Sequence, residues 1–223
     1  MPQVQNKGKM RTLFKKTSPF FPRARIISRA FRNFSTQEAH TFIVRYGGKR
    51  RFLRVQKRSP TKENAAREYA WMKIFNILYP SVSVKPIGIT LVKGKNNVGG
   101  STNYGVVSEI VRGLSPAYKK QQKSFYGYYD LLDMGITSQG ELSHADFVNK
   151  VKNGLAKKIY EESGIKVQTH EVNVGDKKGV PVFFETSLDL TKYNKFRHFV
   201  LFQPKEKAEK IIELLEVIRK AKI

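Results

Sequence analysis

One carboxylate and one guanidinium in the sequence have the types and positions expected of an ion pair between neighbouring elements. Glu68 lies three residues after Ala65 and four before Met72, on the apolar face of a stretch with helical periodicity. A carboxylate on such a face needs a cation, because burying an unpaired charge is costly. The sequence therefore predicts a pair between Glu68 and Arg54 of the preceding strand. Pairing with the neighbouring Arg67, a plain surface salt bridge and solvent exposure are the alternatives.

Positive charge is concentrated at the start of the chain. The protein has 42 Lys and Arg residues against 18 Asp and Glu, a formal net charge of +24. The first 58 residues hold 16 of these basic residues and a single acid, Glu38. Such a field attracts polyanions, and each phosphate that is neutralised releases condensed counterions. Nucleic acid is therefore the favoured partner, with a solvated tail and a mitochondrial transit peptide ending near residues 32–36 as alternatives.

The residues predicted to contact nucleic acid are the basic side chains of this N-terminal arm and of the hairpin that follows it. They are Lys7, Lys9, Arg11, Lys15, Lys16, Arg23, Arg25, Arg29, Arg32, Lys49, Arg50, Arg51, Lys57 and Arg58. Phosphate contacts position a protein without reading sequence. RNA is favoured over DNA, because no helix-turn-helix, zinc finger or basic zipper is visible.

Several classes of chemistry are excluded by what the sequence lacks. The absence of cysteine excludes disulfides and thiolate zinc sites, and four scattered histidines leave little for a metal, so we expect no structural zinc. No H-E-x-x-H, Walker loop or G-x-S-x-G motif is present. No apolar run approaches the roughly 20 residues of a membrane span, and no signal peptide is visible. We expect a cytoplasmic protein that does not bind membranes, with the mitochondrial matrix as the alternative.

Hydrophobic periodicity predicts the order strand, strand, helix, strand, strand for the first half of the chain. The strands are predicted at residues 41–46, 51–56, 82–92 and 104–111, the last two as an antiparallel pair. Gly47-Gly48 joins the first two strands as a hairpin. Ser59-Pro60 begins a helix that continues to Leu78. Trp71 on this helix is predicted to lie in the core, with a base-stacking platform as the alternative.

The second half is predicted to be mainly helical. Helices are expected at 119–134, at 143–163 and from Pro204, and short strands at 165–167, 172–174 and 180–185 around a turn at 175–179. The apolar side of the last helix is predicted to carry Ala208, Ile211, Ile212, Leu215 and Ile218. We therefore divide the chain into a basic arm (1–34), a strand-strand-helix-strand-strand lobe (35–115) and a mainly helical lobe with a short β-hairpin (116–223).

This order of elements resembles the protein-kinase-like fold in its small atypical or aminoglycoside-phosphotransferase-like form, over about residues 42–190. By this resemblance Arg54 in F-L-R-V stands at the β3 lysine, and Glu68 in A-R-E-Y-A-W-M at the glutamate of the following helix. Glu109 and Val111, in V-V-S-E-I-V-R-G, match the hinge segment whose backbone meets the adenine ring. The resemblance thus implies that these four residues bind a nucleotide.

The resemblance also implies a metal site. Asn173 would match the asparagine of the catalytic loop, and Glu185, which ends P-V-F-F-E, would match the second metal carboxylate. Amide and carboxylate oxygens suit a magnesium ion that bridges phosphates, so ATP and Mg²⁺ are the implied cofactors. A plain β-hairpin around the 175–179 turn is the alternative.

The sequence departs from the kinase pattern at two functional positions. Gln168, five residues before Asn173, occupies the place of the catalytic aspartate and cannot act as a general base. No glycine-rich loop precedes the first hairpin, where residues 31–40 stand. His170 and Glu171 are the nearest groups that could replace the base. The resemblance is therefore to a degenerate kinase, or pseudokinase.

These observations together predict an α+β protein with a kinase-like arrangement, in which an antiparallel-sheet N-lobe is followed by a small, mainly helical C-lobe. The predicted function is that of an RNA-associated binding protein that contacts phosphates through its arm and hairpin. An active Mg-ATP-dependent phosphotransferase is the enzymatic alternative. A structural subunit of a ribonucleoprotein, in the mitochondrion or elsewhere, is the third possibility.

Overall fold

The computed structural model describes residues 25–28, 39–92, 103–113, 148–169, 174–177 and 180–221, and it shows a mixed α+β protein. The strands are β1 (Arg25–Ser28), β2 (Ala39–Tyr46), β3 (Lys49–Gln56), β4 (Pro86–Val92), β5 (Asn103–Ser108), β6 (Arg112–Gly113), β7 (Ile165–Val167), β8 (Val174–Lys177), β9 (Val180–Phe183) and β10 (Thr186–Leu188). The α-helices are α1 (Lys62–Leu78), α2 (Lys157–Ser163), α3 (Tyr193–Leu201) and α4 (Lys205–Lys220). A π-helical segment, Val148–Ala156, leads into α2, and a 3₁₀ turn, Leu190–Lys192, leads into α3. The predicted α+β class is confirmed.

The first five strands form one antiparallel sheet in the order β1-β2-β3-β5-β4. Strands β2 and β3 pair along their whole length and are joined at Gly47 and Gly48, whose φ angles of 58° and 76° lie in the left-handed region that the two-residue turn requires. The predicted hairpin is therefore confirmed, as is the antiparallel pairing of β4 with β5. Strand β1 pairs with β2, so these four residues of the predicted arm are a strand of the sheet.

Strands β3 and β5 approach each other closely at Gly105. A Cβ atom added there would lie 2.6 Å from the backbone oxygen of Arg54 and 2.8 Å from both Leu53 Cδ1 and Val55 Cγ2. No other residue fits against these atoms without moving a backbone or a buried side chain. Gly105 thus sets the distance at which the Arg54 segment of β3 pairs with its neighbour.

Helix α1 begins slightly later than the sequence predicts. Its N-cap is Thr61 instead of Ser59, and the Thr61 hydroxyl accepts a hydrogen bond from the backbone N–H of Asn64 at 3.2 Å. Thr61 has the extended backbone that an N-cap needs, with φ −75° and ψ 162°. The helix ends at Leu78, before Pro80, as predicted.

The second half differs from its prediction in three places. The strand predicted at 180–185 ends at Phe183 as β9, and an additional strand, β10, follows it and pairs with β7. Gly175 and Asp176 lie within β8, not in a turn, since they pair with Val182 and Pro181 of β9. Helix α3 was not predicted. The helix predicted at 119–134, and the start of the one predicted at 143–163, lie outside the described residues.

Among the residues that the structure describes, the largest hydrophobic core is shared by both predicted lobes. Its buried members come from α1, from the segment before β4, and from the helices and strands after residue 148; they are Ala70, Ile74, Phe75, Val82, Val151, Ala156, Ile159, Ile165, Val174, Phe183, Phe196, Val200, Ala208, Ile211 and Leu214. Helix α4 packs along α1. The predicted apolar side of α4 is wrong at Ile212, which is 47% exposed, while Leu214 is buried instead.

Asp189 ties together three elements of the second half. Its carboxylate accepts hydrogen bonds from Tyr160 Oη at 2.9 Å and from the Thr191 N–H at 3.0 Å, and it lies 2.8 Å from Lys166 Nζ. The hydrogen bond from Lys166, followed by those from Thr191 and Tyr160, holds the pKa of Asp189 well below its usual range. Asp189 therefore stays ionised and stabilises the junction between α2, β7 and the turn before α3.

We expect Asp189→Asn to lower the melting temperature at pH 7 and to have little effect at strongly acidic pH. A carboxyl group whose folded-state pKa is depressed contributes stability above its unfolded pKa of about 4, and this contribution is lost as the pH falls through the folded value. Melting curves of both proteins between about pH 7 and pH 2 measure it. Glu216→Gln, which removes an exposed partner of Arg219, is the matched control and should change little at any pH. A difference for Asp189→Asn that does not vary with pH would contradict the expectation.

Candidate functional site

Arg54 lies between two carboxylates from distant parts of the chain. Its Nε atom is 3.4 Å from Glu68 Oε1, and its Nη2 atom is 2.7 Å from Glu185 Oε1. The three side chains are largely buried, with 22%, 14% and 21% of their surfaces exposed. The ion pair that the sequence predicts between Arg54 and Glu68 is thus present, and Glu185 joins it. We call these three residues the Arg54 cluster.

The sheet and α1 place the first two members of the Arg54 cluster. Arg54 lies opposite Thr41 on β2 and Val106 on β5, on the sheet face where α1 packs through Ala65 and Tyr69. Gln56 shares this face, since residues two apart on a strand point the same way. Its Nε2 atom donates to Glu68 Oε2 at 3.0 Å. Sequence reasoning missed Gln56, although its period-2 spacing from Arg54 was the available signal.

Glu185 is held in the short connection between β9 and β10. Its backbone oxygen accepts a hydrogen bond from the Gln168 N–H at 3.0 Å, which brings Gln168 beside the Arg54 cluster. The next residue, Thr186, accepts a hydrogen bond through its backbone oxygen from Trp71 Nε1 at 2.8 Å. Helix α1 and the β9–β10 connection are therefore joined directly next to the cluster.

A cavity of about 480 Å³ lies beside the Arg54 cluster. Its walls come from β3, α1, the β9–β10 region and the end of α4. The lining residues are Arg54, Gln56, Asn64, Arg67, Glu68, Trp71, Met72, Gln168, Phe184, Glu185, Thr186, Ser187, Leu188, Leu190 and Ile218. The indole of Trp71 also packs on the core, with its ring 6.0 Å from that of Phe196. Trp71 is therefore partly buried against the core, not fully inside it, and it also faces a space large enough for a ligand.

The hinge candidates lie apart from this cavity. Glu109 and Val111 are absent from its lining. The Glu109 carboxylate accepts hydrogen bonds from the Lys85 N–H at 2.9 Å and from Lys177 Nζ at 3.0 Å, and its own backbone N–H donates to the Lys85 oxygen. Glu109 thus links β5 to β8 and to the segment before β4. The structure does not bring the four predicted nucleotide-binding residues to one cavity.

The two predicted metal ligands are not seen together. Asn173 lies outside the described residues, and the Glu185 carboxylate faces Arg54. Among the residues that the structure describes, no three His, Asp or Glu side chains are grouped so that they could hold a metal ion. A guanidinium at 2.7 Å competes with any cation for the same carboxylate oxygen. The described residues therefore do not fit a magnesium site in this arrangement.

The hairpin end of the sheet carries unopposed positive charge. Arg45 of β2 lies directly opposite Arg50 of β3, and both side chains are exposed. On its other edge β2 pairs with β1, and there the residue opposite Arg45 is Arg25. Within the described part of the chain, neither Arg45 nor Arg50 makes an ion pair. We call Arg45 and Arg50 the arginine pair.

The other predicted nucleic-acid contacts fall into two groups. Lys49 and Arg58 are exposed near the hairpin, while Arg51 and Lys57 are half-buried. The remaining predicted contacts lie outside the described residues, apart from Arg25, which is placed only as part of β1; they are Lys7, Lys9, Arg11, Lys15, Lys16, Arg23, Arg29 and Arg32. Arg45 was not among the predicted contacts. The two-residue turn at Gly47-Gly48 sets the strand register that places Arg45 opposite Arg50, and this turn was the signal available in the sequence.

Comparisons with known proteins do not assign the chain to a family. No family model matches the sequence, and no curated protein matches it significantly. In the part of the chain that the structure describes, no helix is both long and apolar enough to cross a membrane.

Proposed function

We propose that this protein binds RNA through the hairpin end of its sheet, on a scaffold similar to a degenerate protein kinase that does not transfer phosphate. The observation that carries the proposal is the arginine pair. Like charges directly opposite each other destabilise an antiparallel sheet. Arg45 and Arg50 have no carboxylate to offset them among the described residues, so a polyanion is the partner that would neutralise them.

Two features of the Arg54 cluster support the kinase-like scaffold and the absence of catalysis. Arg54 and Glu68 pair at the positions where the resemblance expects the strand cation and the helix carboxylate. The guanidinium is, however, engaged by two carboxylates, which leaves it less able to hold a phosphate. Gln168, beside the cluster, cannot take a proton from a substrate hydroxyl. A binding protein fits these features better than an enzyme.

The proposal predicts a steep salt dependence that decreases when the arginine pair is removed. Each phosphate contact contributes roughly one unit to the slope of log affinity against log salt concentration. For Arg45→Ala/Arg50→Ala we expect a slope shallower by about 1 to 2 and an affinity for single-stranded RNA about tenfold lower at low salt. Fluorescence anisotropy of labelled RNA at several salt concentrations measures both.

The matched control removes two exposed cations that are not part of the sheet. Lys205→Ala/Lys207→Ala, at the start of α4, changes the net charge by the same amount and should leave the slope nearly unchanged. If both double variants lost the same amount of RNA affinity and of salt slope, only net charge would matter. A flat slope in the natural protein would overturn the proposal. Equal affinity for duplex DNA would extend the partner to nucleic acid in general.

A kinase-like phosphotransferase is the second candidate, because Arg54 and Glu68 pair at the positions where, by the resemblance, such enzymes use a lysine–glutamate pair to hold the nucleotide phosphates. ATP and Mg²⁺ would then be its cofactors. A ligand of the native state must raise the melting temperature by mass action. If millimolar ATP with Mg²⁺ leaves the melting temperature unchanged, this candidate loses its basis.

A further inference from the structure

We propose that the cavity beside the Arg54 cluster receives one unpaired base of the bound RNA and prefers cytosine to uracil. This inference rests on the proposed RNA binding and adds the selectivity that phosphate contacts alone do not provide. Three observations carry it: the position of the cavity relative to the arginine pair, the composition of its walls, and the two carboxylates among them.

The cavity and the arginine pair lie on the same face of the sheet. Arg50, Phe52 and Arg54 alternate along β3, and residues two apart on a strand share a face. At about 3.4 Å per residue, the Cα atoms of Arg50 and Arg54 are about 14 Å apart. An RNA strand whose phosphates contact the arginine pair therefore lies within a few nucleotides of the cavity mouth.

The walls of the cavity suit a flat ring with a polar edge. Much of the wall is apolar and includes Trp71, Met72 and Leu188, while the rest carries hydroxyl, amide and charged groups. Unstacked RNA bases are recognised in this way, by contact between the base and an aromatic side chain and by hydrogen bonds to the base edge. The volume of about 480 Å³ is within the range of small-molecule sites.

The charged groups of the cavity favour a base that donates hydrogen bonds. Glu68 and Glu185 provide acceptors only, and the guanidinium between them is engaged with both. Because Glu68 Oε1 is buried and Oε2 already accepts from Gln56, Glu185 is the carboxylate that faces an inserted base. Cytosine carries an exocyclic amino group, whereas uracil carries a carbonyl oxygen at the same position. Arg67 lines the cavity, is half-buried, and makes no ion pair within the described residues, so it is placed to contact the phosphate of the inserted nucleotide.

Intrinsic fluorescence tests the inference directly, because Trp71 is the single tryptophan of the chain and lines the cavity. The full chain is titrated with oligocytidylate and oligouridylate of equal length at fixed salt. Binding is followed by anisotropy and cavity entry by tryptophan emission. We expect oligocytidylate to bind about tenfold more tightly and to change the emission more strongly, because its amino group can donate to a carboxylate of the cavity and the carbonyl oxygen of uracil cannot.

Two substitutions separate the cavity from the phosphate contacts. Ser187→Tyr, at an exposed lining position, should block the cavity and abolish the preference for cytosine and the emission change, while salt-dependent binding persists. Ser81→Tyr, at an exposed position outside the cavity lining, is the matched control. It should keep the preference for cytosine and the emission change. Arg45→Ala/Arg50→Ala should weaken both oligonucleotides equally and leave their ratio unchanged.

The outcomes distinguish this inference from the function on which it rests. Equal affinities for the two oligonucleotides with unchanged emission would overturn the inference and leave RNA binding standing. Failure of both oligonucleotides to bind would overturn RNA binding and the inference with it. An emission change with free cytidine monophosphate but none with oligocytidylate would also overturn it, because the cavity would then serve a small molecule.

Discussion

Replacement of Arg54 by methionine is expected to lower the free energy of unfolding by about 2 kcal/mol. The substitution leaves the carboxylates of Glu68 and Glu185 close together in a largely buried position without their shared cation. Removing one member of a fully buried ion pair costs about 3–5 kcal/mol, and the partial exposure of this cluster reduces that figure through solvent screening. Urea unfolding of the two proteins measures the difference.

The triple variant Arg54→Met/Glu68→Gln/Glu185→Gln separates charge from packing. Relative to Arg54→Met, it neutralises the two carboxylates with little further change of shape, so most of the lost stability should return, because the cluster no longer holds unpaired charges. Glu161→Gln, which breaks the exposed pair with Lys157, should change stability by less than about 0.5 kcal/mol and serves as the surface control. If the triple variant is no more stable than Arg54→Met, the loss comes from packing of the arginine side chain.

Local patterns in the sequence were sufficient to predict the hairpin and the first ion pair. Two successive glycines between β-branched runs specify a two-residue turn, and the turn in turn sets the register of β2 against β3. The helical spacing of Glu68 placed its carboxylate toward the sheet that carries Arg54. Both predictions concern elements that are adjacent in sequence, where periodicity and turn chemistry carry the information.

The third member of the Arg54 cluster shows what such patterns cannot supply. Glu185 was predicted as a metal ligand, and it lies 2.7 Å from a guanidinium more than a hundred residues earlier in the chain. That contact depends on how β10 pairs with β7 and on the hydrogen bond from Trp71 to Thr186. Neither interaction has a local signature, so the cluster as a whole and the cavity beside it became visible only in the folded protein.

Helix α4 also shows that local sequence patterns do not determine tertiary packing, here within a single helix. The sequence predicts the helix and most of its apolar side, but Ile212 is 47% exposed and its neighbour Ile211 is fully buried. Helical periodicity identifies a broad apolar stripe. The part of that stripe that is buried depends on the angle at which α4 packs on α1, and this angle is a tertiary property.

The adjacent isoleucines of α4 provide the strongest expected effect on stability. Ile211→Ala should lower the free energy of unfolding by about 3 kcal/mol, because it leaves a cavity in the core between α4 and α1. Ile212→Ala, the matched control one residue later, removes the same atoms from an exposed position and should cost less than about 0.5 kcal/mol. Urea unfolding of the two variants gives both values under identical conditions.

The same pair of variants tests whether the two predicted lobes unfold as one unit. The core around Ile211 includes Ala70, Ile74 and Phe75 of α1 together with residues that follow position 148. Trp71 reports on α1 by fluorescence, whereas circular dichroism also reports on the helices of the second half. In Ile211→Ala both signals should therefore shift to a lower midpoint together, since coincident transitions indicate one cooperative unit. Two separate midpoints would instead show that the residues before and after the predicted boundary at 115 fold independently and that α4 only rests on α1.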